Sequence, residues 1–143
     1  MTADNQNPYA SLKPVTQVMT NPHFEKIGGE AAIIQLVDKF YFYMDTLPEA
    51  TGIRTMHAAD LSHTKQILVQ FLIEWLGGPK VYSVVHGHPS LRKRHMHFPI
   101  GEAEANAWMS CMRHAMGDVV SDATLRQQLE QSFSKTANFI RNN

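Results

Sequence analysis

Apolar residues recur at helical spacing, about every three or four positions, along four stretches of the chain. Each stretch is long enough for a helix of several turns. In no window do apolar and polar residues alternate between hairpin signals, as they do in strands. The pattern therefore predicts an all-α domain with four substantial helices. They run over Ile33–Asp45, from a cap at Asp60 or Ser62 to Leu76, over Glu102–Val119 and over Asp122–Ile140.

Glycine and proline divide the rest of the chain into shorter elements. A short element over Phe24–Ile27 ends at two glycines, and Thr46–Ala59 forms a connection of short turns. After the second long helix, Lys80–Ser90 is predicted to be an irregular loop with a turn around Val81–Val84, followed by a brief helix over Leu91–Met96. We expect the long helices to form the core and the short segments to join them.

The composition limits the class of protein. At 143 residues the chain has the size of one domain, and its 13 basic and 13 acidic residues balance, so no nucleic-acid partner is indicated. The single cysteine, Cys111, fits a reducing compartment, and neither a signal peptide nor an apolar run of about 20 residues is visible. We expect a cytoplasmic protein without a membrane anchor, with a polar extension over residues 1–22 and one domain over residues 23–143.

The decapeptide Leu91–Ile100 brings candidate anion-binding and metal-binding residues together. It places three cations, Arg92, Lys93 and Arg94, directly before His95, in a chain with eight histidines. Histidine pairs two residues apart suggest zinc at first, but this spacing places side chains on roughly opposite faces of a helix. The chain also lacks a second cysteine and a His-Glu-x-x-His motif, so an all-helical zinc protein is the remote alternative.

A planar anionic cofactor fits the decapeptide better than zinc. A haem carries two propionates and needs one neutral imidazole on its iron, and here the cations lie within one turn of His95. On composition alone, a solvated basic run beside an ordinary half-buried histidine is the commoner arrangement. Both interpretations stay open at this point.

Three other side chains are candidates to face a bound ligand. Tyr41 lies on the apolar stripe of the first long helix, Trp108 on that of the third, and His57 near the end of the connection between the first two. A buried phenol or indole needs a hydrogen-bond partner, so Tyr41 and Trp108 are either packed aromatics or donors aimed at a ligand. For each residue alone, packing is the commoner role.

Taken together, these motifs resemble the truncated haemoglobin family, and within it group II. The resemblance runs in register from Phe24 to about Met116, whereas the extension and the last helix match only in being polar and helical. Its most specific elements are Gly77-Gly78-Pro79, the motif from Gly87 to His95, and Trp108, in that order. The full set of matching elements is Phe40-Tyr41, Phe71-Leu72, Trp75-Leu76-Gly77-Gly78-Pro79, Tyr82, His86-Gly87-His88-Pro89, Leu91-Arg92, Arg94-His95, Phe98-Pro99-Ile100 and Ala107-Trp108.

The resemblance implies a shortened globin fold, a two-over-two helical sandwich around haem b, with His95 as the iron ligand. The connection that carries His57 is a few residues longer than in the family, and Thr64 stands where full-length globins commonly have a histidine. Distal hydrogen bonds are therefore expected from other side chains. The implied distal residues are Tyr41, His57, Thr64 and Trp108, and the implied haem-contacting residues are Leu68, Phe71, Leu72, Tyr82, Arg92 and Arg94.

The resemblance further implies a protein that binds dioxygen, carbon monoxide and nitric oxide. Donation from Tyr41 and Trp108 would slow dioxygen release, which favours redox or nitric oxide chemistry, sensing or protection, with weak peroxidase or nitric oxide dioxygenase activity. The alternative is oxygen transport or storage. We expect a reductase as electron donor, a monomer or weak homodimer, and an approach of His57 or Tyr41 to the iron when no ligand is bound.

Overall fold

The computed structural model of the protein describes residues Pro22–Asn143. The extension, apart from Pro22, lies outside the described residues, as does a turn of helix predicted around Val15–Met19. Within the described range the chain is helical without strands, which confirms the predicted all-α class. The helices are α1 (His23–Ile27), α2 (Gly29–Thr46), α3 (Thr51–Thr55), α4 (Ser62–Trp75), α5 (Val81–His86), α6 (Leu91–Arg94), α7 (Glu102–Val119) and α8 (Ala123–Ile140), with a 3-10 turn at Pro48–Ala50.

The four long helices form two packed pairs. Helix α2 packs against α4, and α7 packs against α8, while the contact between α2 and α7 joins the pairs and is the most extensive one between helices of the described residues. Fully buried side chains from all four helices fill the space between the pairs, among them Phe40, Leu72, Met112 and Leu129. This arrangement is the two-over-two sandwich that the sequence predicts.

The buried stripes of α2 and α7 follow the predicted spacing with one exception. Ile33 is fully buried, but Ile34, predicted to share its position at the edge of the stripe, is 42% exposed. Cys111 is fully buried on α7, and burial raises the pKa of its thiol to about 11, so the thiol stays protonated at neutral pH. Among residues 22–143, no helix is both long and apolar enough to cross a membrane.

Glycines allow α1 to pack closely against the end of α4. Phe24 N donates to Leu76 O at 2.8 Å, which joins the two segments. A Cβ atom on Gly78 would lie 2.8 Å from both Ile73 O and Phe24 Cδ1, closer than carbon atoms can approach without displacement. Gly28, between α1 and α2, has a φ of 116°, a left-handed conformation that favours glycine. Both positions lie in the glycine pairs that the sequence identifies as hinges.

The connection between α2 and α4 is more ordered than a series of turns. Besides α3, it is stabilised by Arg54, which donates to Asp45 Oδ1 at 2.5 Å and to Ala58 O and Ala59 O at 3.0 and 3.1 Å. Asp60 Oδ1 accepts from Ser62 N at 2.9 Å, and this bond lowers the pKa of the Asp60 carboxyl group. The N-cap of α4 is Leu61, without a side-chain cap, and of the two capping candidates in the sequence, Asp60 and Ser62, only Asp60 accepts from an amide of the first turn, from the position before the N-cap.

The prediction for residues 80–90 is wrong in one respect, because Val81–His86 forms a helix rather than a loop with one turn. The first amides of this helix are satisfied by a residue of α4. Glu74 Oε1 accepts from Tyr82 N and Ser83 N at 3.1 and 2.8 Å, and Glu74 Oε2 accepts from Ser83 Oγ at 2.5 Å. Helix α6 ends at Arg94, two residues before the predicted end, and His95 follows as its C-cap.

Candidate functional site

A cavity of about 480 Å³ opens between the long helices and the segment around α5 and α6. Ligand pockets in proteins commonly have this size and a mostly apolar wall. Every candidate site residue of the sequence except Arg92 lines it. These residues are Tyr41, His57, Thr64, Leu68, Phe71, Leu72, Tyr82, Arg94, His95 and Trp108. We call Tyr82, Arg94 and His95 the proximal residues, and Tyr41, His57, Thr64 and Trp108 the distal residues.

The apolar wall of the cavity comes from helix faces that the core does not cover. On α4, Leu72 is fully buried in the core, whereas Leu68 and Phe71 are only half-buried because they border the cavity. The end of α8 contributes Ala137 and Ile140, which the sequence predicts only as core residues. Their helical spacing fits either role, so the sequence contains no signal that separates core from cavity wall at these positions.

The hydrogen bond of His95 fixes the state of its ring. Nδ1 lies 2.6 Å from Leu91 O, one turn earlier in α6. A carbonyl oxygen can only accept, so in the neutral ring Nδ1 carries the proton and Nε2 keeps its lone pair. This is the tautomer that an imidazole needs to ligate a metal through Nε2, and a donated Nδ1–H is the usual support for such a ligand.

The two arginines predicted beside the cofactor point to different places. Arg94 lines the cavity, and its guanidinium group donates to His86 O at 3.3 Å. Arg92 does not line the cavity, and its guanidinium group donates to Phe139 O and Arg141 O at 3.0 and 3.1 Å. Of these two arginines, Arg94 is therefore the one at the cavity wall, with the buried Tyr82, where it can meet an anionic group.

Two distal residues present polar groups without a partner. Tyr41 is 4% exposed, and no residue within 22–143 hydrogen-bonds to its hydroxyl group. Burial raises the pKa of Tyr41 above its ordinary value, so the phenol stays neutral and can donate. The half-buried Trp108 likewise has no described partner for its indole N–H. The Phe40 ring lies between them, with centroids 4.9 Å from Tyr41 and 5.1 Å from Trp108.

His57 has a fixed ring as well. Its Nδ1 lies 2.8 Å from Ile53 O, which assigns the proton of the neutral ring to Nδ1 and the lone pair to Nε2. The His57 ring packs edge-on against Tyr41, with centroids 5.8 Å apart. Neutral His57 can thus accept a hydrogen bond or ligate a metal through Nε2, but it donates from that atom only when protonated.

The donor set of the cavity fits a haem. One imidazole nitrogen with a free lone pair suits iron, a guanidinium group suits a propionate, and the remaining wall is apolar. Two of the histidines near the decapeptide have other contacts, since His86 Nε2 lies 3.0 Å from Gln70 Oε1 and His88 Nδ1 accepts from Ser90 N. In the described part of the chain, no three His, Cys, Asp or Glu side chains are grouped as a metal site would require. Fold and cavity together define a helical protein whose cavity fits a planar anionic cofactor and has an imidazole in its wall.

Comparisons with known proteins agree with this class. A model of the bacterial-like globin family matches residues 22–142. The group 2 truncated hemoglobin YjbI of Bacillus subtilis (strain 168) is 39% identical over 122 residues, which cover 85% of this chain and 89% of that protein.

Two solved structures are also similar. The cold-adapted truncated hemoglobin of the Antarctic marine bacterium Pseudoalteromonas haloplanktis TAC125 has a TM-score of 0.83 and 38% identity, covering 85% of this chain and 98% of that one. The group II 2-on-2 hemoglobin of the plant pathogen Agrobacterium tumefaciens has a TM-score of 0.82 and 42% identity, covering 86% and 95%.

The chain belongs to the bacterial-like globin family and, within it, to the group II truncated haemoglobins with the 2-on-2 fold. Its cofactor is haem with iron, and it binds dioxygen and similar diatomic gases there. The predicted family, fold class and cofactor are thereby confirmed, and the zinc alternative is excluded by the family.

Proposed function

We propose that the chain holds haem iron through His95 and uses bound gases in redox or nitric oxide chemistry, sensing or protection, not in bulk oxygen delivery. The observation that carries this proposal is the hydroxyl group of Tyr41, a side chain that is only 4% exposed, lines the cavity and has no hydrogen-bond partner among residues 22–143. A ligand in the cavity that accepts from Tyr41 would give this hydroxyl group a partner between apolar walls.

His95 is proposed as the proximal ligand on the basis of its tautomer. When bound, haem would supply a redox-active iron that can take a diatomic ligand. The bond from His95 Nδ1 to Leu91 O makes Nε2 more basic and keeps the ring from rotating. Arg94 and Tyr82 are proposed to meet the propionates, whereas Arg92 is not at the cavity wall and would act only through the backbone of α8.

Tyr41 and Trp108 are proposed as donors to a ligand that gains negative charge in the distal part of the cavity. Each hydrogen bond there contributes on the order of 1 kcal/mol or more, because apolar side chains keep the local dielectric constant low. Such bonds slow the departure of dioxygen. Slow release makes a poor oxygen carrier but suits a protein that reacts with, or senses, the gas it holds, including the weak peroxidase and nitric oxide dioxygenase activities considered above.

His57 is proposed as an acceptor beside Tyr41. Because Nδ1 donates to Ile53 O, neutral His57 can accept from the Tyr41 hydroxyl group or approach the iron through Nε2 when no ligand is present. Arg54, which joins the connection to α2 and to residues 58 and 59, limits how far His57 can move. We further propose a reductase as electron donor, a monomer or weak homodimer, and a reducing, cytoplasmic setting that suits the buried thiol of Cys111.

The experiment that tests this function compares Tyr41→Phe with Tyr43→Phe. Tyr43 lies on the same helix, but its hydroxyl group donates to Asp118 Oδ2, away from the cavity, so it is a matched control. We expect Tyr41→Phe to accelerate dioxygen dissociation about tenfold, measured by stopped-flow ligand displacement, and Tyr43→Phe to leave it unchanged. Fast release in the wild type that Tyr41→Phe does not alter would instead support an oxygen store or carrier.

A further inference from the structure

The segment that carries His95 has little packing of its own. Helix α6 is four residues long, none of its residues is buried, and an isolated helix of this length is unstable in water. The chain enters it through Ser90, which has a φ of 47°. Contacts from elsewhere must therefore determine where residues 91–100 lie.

The last residues of the chain supply these contacts. Asn142 Nδ2 donates to His95 O at 3.3 Å and to Phe98 O at 2.9 Å, while Asn142 Oδ1 accepts from Ile100 N at 3.0 Å. The backbone amides of Asn142 and Asn143 also donate to Ile100 O, at 2.8 and 3.2 Å. One half-buried carboxamide thus satisfies three backbone groups between His95 and Ile100.

The same junction is joined from the other direction by Arg92. Its guanidinium group donates to Phe139 O and Arg141 O, carbonyl groups at the end of α8 that have no partner within the helix. Side-chain bonds therefore run from α6 to the end of α8 and from the end of α8 back to residues 95–100. The carbonyl group of His95, the residue proposed to ligate iron, is one of the groups bound.

We propose that Asn142 is a positioning residue for the iron ligand. Leu91 O determines the rotation of the His95 ring, and Asn142 determines the position of the His95 backbone, so together they direct Nε2 toward one point in the cavity. This inference rests on the proposed role of His95. Asn142 would thus act on the cofactor only through the His95 backbone, since Asn142 itself does not line the cavity.

The test replaces Asn142 by aspartate and uses Asn138→Asp as the matched control. Asn142→Asp keeps the size of the side chain but places a carboxylate oxygen against two carbonyl oxygens, which removes both donated bonds. Asn138 lies exposed on α8, and its side chain has no hydrogen bond to any described residue. In the haem-loaded protein we expect N142D to shift the iron–histidine stretching band in the resonance Raman spectrum and to accelerate haem loss to excess apomyoglobin roughly tenfold. N138D should change neither.

The outcomes separate this inference from the proposed function. An iron–histidine band and a haem-loss rate that match those of N138D would overturn the role of Asn142. If N142D does not fold, N142A removes the same bonds without introducing charge and must shift the band in its place. A His95→Ala variant that keeps the haem and the iron–histidine band of the wild type would refute His95 as the ligand. A normal wild-type band that neither Asn142 variant changes would refute only the positioning role.

Discussion

The proximal and distal residues of the cavity belong to helices of very different length. Tyr41 and Trp108 project from α2 and α7, which are 18 residues long and build much of the core. Arg94 and His95 lie in and directly after a helix of four residues, which is hydrogen-bonded to parts of the chain far away in sequence. Packing therefore fixes Tyr41 and Trp108, and hydrogen bonds fix the segment of Arg94 and His95.

The polar groups on the two sides differ in the same way. Nδ1 of His95 has a backbone partner, and the carbonyl group of His95 accepts from Asn142. The Tyr41 hydroxyl and the Trp108 indole N–H have no partner among the described residues. A metal ligand has to be held in one orientation, whereas a donor to a gas has to remain available. This fold therefore holds the proposed ligand with hydrogen bonds and leaves the proposed donors without a protein partner.

The largest effect on haem binding is expected from His95→Ala. It removes the only proximal nitrogen proposed to bind iron, so we expect the variant not to retain haem through gel filtration, as measured by the Soret absorbance per protein. His97→Ala is the control, because His97 is exposed and packs only against Phe98, with centroids 4.4 Å apart. Equal haem retention by both variants would contradict the assignment of His95.

A smaller effect is expected on the distal side from Trp108→Phe. This change keeps an aromatic ring beside Phe40 but removes the indole donor, so dioxygen dissociation should accelerate several-fold, up to about tenfold, while haem retention stays unchanged. Combining it with Tyr41→Phe in a double-mutant cycle shows whether the two donors act on the same ligand. Loss of haem in Trp108→Phe would show that Trp108 helps to hold the cofactor and does not act only as a donor to the bound gas.

The smallest effect concerns the helix next to the proximal residues. Glu74→Ala removes the acceptor for the first amides of α5, and we expect the free energy of unfolding to fall by about 1 kcal/mol, or about 3 °C in Tm. Hydrogen bonds from Ser83 and Tyr82 lower the pKa of Glu74 below its ordinary value of 4.5. The stabilisation is therefore complete above pH 4.5 and is lost as the pH falls through the lower folded-state pKa.

The pH dependence supplies the control for this prediction. Wild type and Glu74→Ala should differ at pH 7 and converge in strongly acidic solution, as followed by circular dichroism during thermal unfolding. Gln66→Ala, at an exposed position of the same helix as Glu74 and without a side-chain hydrogen bond to any described residue, should behave like the wild type at both pH values. A difference for Glu74→Ala that is independent of pH would show that the carboxylate is not the capping group.

Much of the distal side could be predicted from the sequence. The periodicity of α2 and α7 places Tyr41 and Trp108 on the faces that pack inward, and both line the cavity. Their neighbour Phe40 is fully buried, so periodicity alone did not separate a core aromatic from one at the cavity. The proximal side was harder to predict, because Arg92 and Arg94 are two residues apart on a short helix and point to different partners.

The sequence by itself determined the four long helices, the all-α class and the family resemblance that makes His95 the proposed ligand, because apolar periodicity and a contiguous motif act over a few residues of chain. Only the tertiary structure decided that Glu74 caps α5, that Arg92 binds the end of α8, and that Asn142 reaches residues 95–100. The bonded residues are 9 positions apart for Glu74 and Ser83, 49 for Arg92 and Arg141, and 44 for Asn142 and Phe98. No local pattern encodes such a pair, since it forms only after helix packing brings the two segments together.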